Sequence, residues 1–98
     1  MLRRNSRIKA MMVLYNYDLC DERIDEEYLD TLFQEAEANF DSDFYQELVN
    51  GVLNHIDEIN RIINLNLKNW TIDRMSVVDR NLIRIGVYEM LYKKTEMA

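Results

Sequence analysis

A chain of 98 residues suits one domain, spanning 1–98, and leaves no room for a second. It is 48% hydrophobic, has no proline and has two glycines, Gly51 and Gly86, so it can fill a core and little in it blocks long helices. Its net charge of −6 counts against a surface that binds nucleic acid all over, and no apolar run reaches membrane-spanning length or forms a secretory signal.

The charge is unevenly placed. Residues 1–17 carry Arg3, Arg4, Arg7 and Lys9 and no acid, residues 18–58 hold a long run of acids against Arg23 alone, and residues 59–98 are again net basic. A basic end on an acidic body can hold phosphate locally while the body repels the rest of a polyanion. Charge alone is equally met by a chain that happens to open with arginines.

The first helix is predicted from about Asn5 or Ser6, both good N-caps, to about Asp18. Ile8, Met12, Tyr15 and Leu19 form one apolar stripe, and Arg3, Arg4 and Arg7 share another if the first turn reaches back to them. Lys9 points elsewhere. A second helix is predicted from Asp25, an N-cap flanked by Ile24 and Leu29 as a hydrophobic staple, with Leu29, Leu32, Phe33 and Ala36 inward.

After a break at residues 39–43, where Asp41 or Ser42 can cap, one long helix is predicted over about 44–67. Its stripe is Phe44, Leu48, Val52, Ile56, Ile59 and Ile63, and Gly51 interrupts it to let another helix come close. Residues 66–73 turn the chain, with Trp70 as the apolar anchor. The last helix opens at Ser76 and Asp79, which have capping-box spacing, and runs to about Lys93, with Lys93 and Lys94 at its negative end. That helix is apolar nearly all round, through Val77, Val78, Leu82, Ile83, Ile85, Val87, Tyr88, Met90 and Leu91. It should be central to a bundle, and three preceding helices do not supply enough neighbours to cover it.

Catalytic chemistry finds no support. His55 is the single histidine, and its i±4 neighbours are Gly51 and Ile59, so it reads as a packed residue and not a metal ligand. No nucleophile triad or glycine-rich phosphate loop is present, and the lone Cys20 allows no intrachain disulfide or CxxC site, in keeping with a reducing cytoplasm. The chain is therefore read as a non-enzyme without cofactor or metal. The acids of residues 18–47 read as solvated faces and caps. Glu89 differs: it lies on the wheel among Val78, Leu82 and Ile85, which predicts a structural ion pair or a backbone hydrogen bond. Arg3, Arg4 and Arg7 suit phosphate at a helix N-terminus, and Tyr15 and Tyr17 offer stacking faces to bases or, more plainly, pack in the core.

Two segments together resemble the NusB family. One is Arg3-Arg4-Asn5-Ser6-Arg7 followed by Met12-Val13-Leu14-Tyr15. The other, more specific, runs from Asn69-Trp70-Thr71-Ile72-Asp73-Arg74-Met75 through Val78-Asp79-Arg80 to Leu82-Ile83-Arg84-Ile85-Gly86-Val87-Tyr88-Glu89. Between them, residues 44–52 also look like the family's third helix. The resemblance implies an all-α NusB-like bundle of about four to five helices. It implies transcription antitermination through boxA-type single-stranded RNA of ribosomal RNA transcripts, with NusE, a ribosomal small-subunit protein, and the transcription elongation complex as partners.

The resemblance further implies Arg3, Arg4 and Arg7 as RNA contacts, and Tyr15 and Asp79 as residues of the assembly with NusE. Asn5 stands where some relatives have a further arginine, which implies weaker binding to RNA alone, and Asp79 where relatives carry Glu reaches less far. The family continues past the point where this sequence stops, which implies missing C-terminal helices and an apolar surface that makes the chain self-associate into a homo-oligomer. Two other readings remain open: the RNA-binding domain of a ribosomal RNA methyltransferase, which needs a downstream cofactor domain, and a helical interaction module that binds no RNA.

Overall fold

The first helix starts a turn earlier than its candidate caps predict. In the computed structural model, which describes residues 2–20, 25–69 and 71–93, α1 spans Leu2–Cys20. Asn5 and Ser6 lie inside it because tertiary bonds claim their side chains. The buried Ser6 Oγ lies 2.9 Å from both the Leu2 and Asp41 carbonyl oxygens and accepts the Asp41 N–H at 2.7 Å. Asn5 Nδ2 donates to the Asn39 carbonyl at 2.6 Å. The loop before the third helix is thereby pinned to α1.

Helix α2, Glu26–Glu35, is capped by Asp25, whose carboxylate accepts the Glu27 N–H at 2.9 Å. Its staple partner Ile24 lies outside the described residues. Leu29 and Phe33 are buried and Leu32 is partly so, whereas Ala36 is exposed at the C-cap instead of facing inward. The helix closes with the Ala38 N–H on the Phe33 carbonyl at 2.9 Å, a bond that needs Glu37 in the left-handed region, φ 53°.

The predicted long helix over 44–67 is two helices: α3, Ser42–Asn54, and α4, Ile56–Asn66. Asp41 caps α3 through the Phe44 N–H at 3.1 Å. The break falls at His55, φ −117° and ψ 19°, which ends one helix and begins the next. A kink keeps both halves of the stripe in use, since Phe44, Leu48, Val52, Ile59 and Ile63 are all buried while Ile56 is only partly so. The packed-histidine expectation holds: the His55 ring stacks on Tyr92 with centroids 4.2 Å apart.

Gly51 does what its position suggested. A Cβ there would overlap the Tyr88 ring, so its absence lets the fifth helix seat against α3.

Trp70 also lies outside the described residues. The buried anchor of that turn is Ile72, in a 3-10 turn over Ile72–Arg74, and its N–H is held by Asn64 Oδ1 at 2.8 Å. Helix α5, Val77–Tyr92, is capped by Ser76 Oγ on the Asp79 N–H at 3.1 Å. It packs on α1, α3 and α4 around Val13, Leu14, Leu48, Val52, Ile59, Ile85 and Tyr88, each such side chain contributing about 1.5–3 kcal/mol on burial.

One side of α5 stays uncovered. Val78, Leu82, Gly86 and Met90 face outward, as the apolar wheel foretold, and Leu82 and Met90 are 52% and 59% exposed. The stripe of α1 shares this fate. Its buried residues are Ser6, Lys9, Ala10, Val13 and Leu14, while Ile8, Tyr15 and Leu19 lie on the open side. Among the described residues no helix is long and apolar enough to cross a membrane.

Candidate nucleic-acid interface

Helices α1 and α5 run antiparallel, with Arg7 beside Glu89 at one end and Asp18 beside Arg80 at the other. This pairing sorts the candidate residues. Arg3, Arg4 and Arg7 are all exposed near the N-terminus of α1, and two of them, Arg3 and Arg7, lie over the buried Phe44 at the start of α3. The Arg3 and Arg7 guanidiniums lie 4.5 and 5.2 Å from the Phe44 ring centroid, and Lys93 Nζ lies at 5.7 Å. An aromatic face attracts cations, so the ring gathers positive charge at this tip. Lys93, which sequence reasoning read only as a dipole partner, belongs to the cluster and also meets Glu47 at 2.5 Å.

The three arginines are not equivalent. Arg7 is engaged by Glu89 in a two-pronged ion pair, Nε to Oε2 at 2.9 Å and Nη2 to Oε1 at 2.8 Å. The Glu89 hydrogen bond, against a smaller cost of desolvation, raises the Arg7 pKa further above its ordinary value. The ion pair predicted for Glu89 is therefore present, and it engages the Nε and Nη2 edge of Arg7. Arg4 lines one groove with this ion pair, together with Ile8, Met11, Leu82 and Gly86.

Tyr15 and Asp79 sit toward the other end. Tyr15 lines a recess with Met11, Met12, Asn16 and Val78, and Asp79 lines a neighbouring one with Leu67, Arg74, Met75 and Ser76. The helical rise puts Tyr15 about 16 Å along α1 from Arg4. Tyr15 is on the open side, not in the core, and Tyr17 is half-buried.

Lys9 belongs to another surface, as its wheel position implied. It is almost fully buried, 4.0 Å from the Phe40 centroid and 4.4 Å from that of Tyr45, and meets Asp30 at 2.5 Å. It fastens α1 to α2.

Sequence reasoning missed the network that sets the α1–α5 register. Asp18 accepts from Arg80 Nε at 2.6 Å and Nη2 at 2.7 Å, from Arg84 Nη1 at 2.9 Å and from Asn81 Nδ2 at 3.0 Å. Arg84 is buried and its Nε is satisfied by Asn60 Oδ1 at 2.9 Å. Burial opposes ionisation of Asp18, but the hydrogen bonds from Arg80 and Asn81 and the two nearby arginine charges outweigh it and hold its carboxyl below the usual range. Burial likewise lowers the Arg84 pKa. The signal was available: Arg80 and Arg84, one turn apart on an apolar helix, need a shared anion, and Asp18 closes α1 on that side.

Comparison with known proteins agrees with this geometry. The NusB family model matches residues 4–97. A relative from Shouchella clausii, a transcription antitermination protein NusB, is 44% identical over 92 residues, covering 94% of this chain and 67% of its own length. The proteins of that name from Bacillus subtilis and Aquifex aeolicus are 37% and 36% identical, with 67% and 64% of their lengths covered. A chain in a structure titled "Crystal Structure of a Plectonemic RNA Supercoil" superposes with a TM-score of 0.74 at 34% identity, covering 93% of this chain and 67% of that one. The chain thus spans about two thirds of the length of the relatives it matches. Family model, identity and fold all agree, and the chain belongs to the NusB family.

Proposed function

We propose that this chain is a transcription antitermination factor that binds boxA-like single-stranded RNA of ribosomal RNA transcripts, acting in the cytoplasm without catalysis, together with NusE and the elongation complex. One observation carries the reading: in a NusB-family chain of net charge −6, three exposed arginines share a single helix tip. Arg3 and Arg4 hold phosphate oxygens through their planar donor forks, and Arg7 joins them when phosphate competes with Glu89. Unpaired bases then lie along the α1 surface, where edges and ring faces can be read. Tyr15 and Asp79, at the far end of the same side, receive NusE, with Asp79 as the anion for a cationic partner residue.

The test is binding of a boxA-like single strand over a range of salt, with and without NusE. Replacing Arg3, Arg4 and Arg7 together by Ala should weaken binding and flatten its logarithmic salt slope by about 0.7 for each phosphate no longer neutralised. Affinity and slope both equal to the parent's would overturn the assignment.

A further inference from the structure

Phe44 stands where the cations of the tip converge, and several bonds keep it there. Its N–H is held by the Asp41 cap at 3.1 Å, and the Asp41 N–H is tied to the buried Ser6 Oγ at 2.7 Å. Ser6 lies on α1 between Arg3 and Arg7, which are one turn apart and share a face. The start of α3 is thus fixed against the stretch of α1 that carries both arginines.

A core position here needs only apolar bulk, which leucine would supply. An aromatic ring supplies something more. Its π face attracts cations, and attraction of this kind consumes no N–H donor, whereas the Glu89 carboxylate engages Nε and Nη2 of Arg7. Phe44 is 3% exposed, so water screens little of the attraction from the ring side. The Arg3 and Arg7 guanidiniums and Lys93 Nζ, from opposite ends of the chain, gather on this one ring. Like charges brought together repel, and the ring offsets part of that repulsion.

We infer that Phe44 is a positioning residue for RNA: its ring holds Arg3 and Arg7 in their binding arrangement before the strand arrives, without touching the strand. This rests on the reading of the tip as an RNA site. A surface arginine ordered only on binding forfeits about two- to tenfold in affinity, and the ring removes part of that loss.

Site-specific incorporation of mono-, di- and trifluorophenylalanine at position 44 tests this, because fluorine drains the π face while leaving the ring's shape nearly unchanged. Binding of a boxA-like single strand by the 98-residue chain should weaken in steps, about threefold in all, with thermal stability little altered. Phe44→Leu should weaken binding about five- to tenfold with an unaltered salt slope, since the same phosphates are still neutralised. In a chain that also carries Arg3→Ala and Arg7→Ala, the fluorine series should be flat. Affinity indifferent to fluorine in the parent overturns the inference, as does a series equally steep without the two arginines. If replacing Arg3, Arg4 and Arg7 together still weakens binding in that case, the RNA reading stands and the positioning role alone falls. A parent that binds no such RNA overturns both.

Discussion

Replacing Glu89 by Gln should loosen the fold slightly and tighten RNA binding. The carboxylate side chain is 15% exposed and the Arg7 side chain 43%, so solvent screens much of their attraction. An exposed pair contributes about 0–1 kcal/mol, and the two-pronged geometry places this one near the upper end. Gln keeps the shape and one acceptor, so the expected loss is about 0.5–1 kcal/mol. In a domain of this size that lowers Tm by about 2–8 °C. The same change releases Arg7 for phosphate. If the pairing free energy no longer has to be overcome, affinity for single-stranded RNA should rise about two- to fivefold, since about 1.4 kcal/mol is tenfold. The salt slope should steepen by about 0.7 as one more phosphate is neutralised. Filter or anisotropy titrations across salt, with a thermal melt alongside, read both effects. Unchanged or weaker RNA binding in a variant that melts a few degrees early would refute the idea that Glu89 holds Arg7 back.

Two further outcomes follow from the packing. Asp18→Asn should cost about 2–4 kcal/mol at pH 7, because it leaves Arg84 buried without its anion. The folded pKa of Asp18 is depressed, so its contribution is complete above the unfolded value near 3.9 and is lost as pH falls through the lower folded value. Urea melts should therefore show the gap between parent and variant closing only below about pH 4, and a gap constant down to about pH 2 would contradict the network. Gly51→Ala should destabilise by about 1–3 kcal/mol despite the better helix propensity of alanine, because the added methyl overlaps the Tyr88 ring. A chemical melt at neutral pH measures it, and a stabilised variant would mean that Tyr88 is not seated against α3.

Local signals were legible wherever one side chain acts on its own helix. Asp25, Asp41 and Ser76 are caps in sequence and in structure, because a cap depends only on residues two or three places away. Ser6 was misread because the same hydroxyl that would cap a helix is instead tied to Asp41, 35 positions away. The arginine cluster was legible in its members and not in its state. That Phe44 lies beneath Arg3 and Arg7, that Lys93 joins them, and that Glu89 grips Arg7 are meetings between helices far apart in the chain.

Composition, periodicity and caps by themselves settled an all-helical chain, its uncovered last helix and its cationic opening, since each follows from the chemistry of neighbouring residues. Tertiary structure alone decided which stripe faces inward. On α1, Ile8, Tyr15 and Leu19 look as core-like as Val13 and Leu14, yet only the latter are buried, because Ser6, Lys9 and Asp18 bond to loops and helices elsewhere and fix the rotation of α1. It also shows the break at His55, whose ring stacks on Tyr92 of the last helix, a partner 37 positions away that no local pattern names.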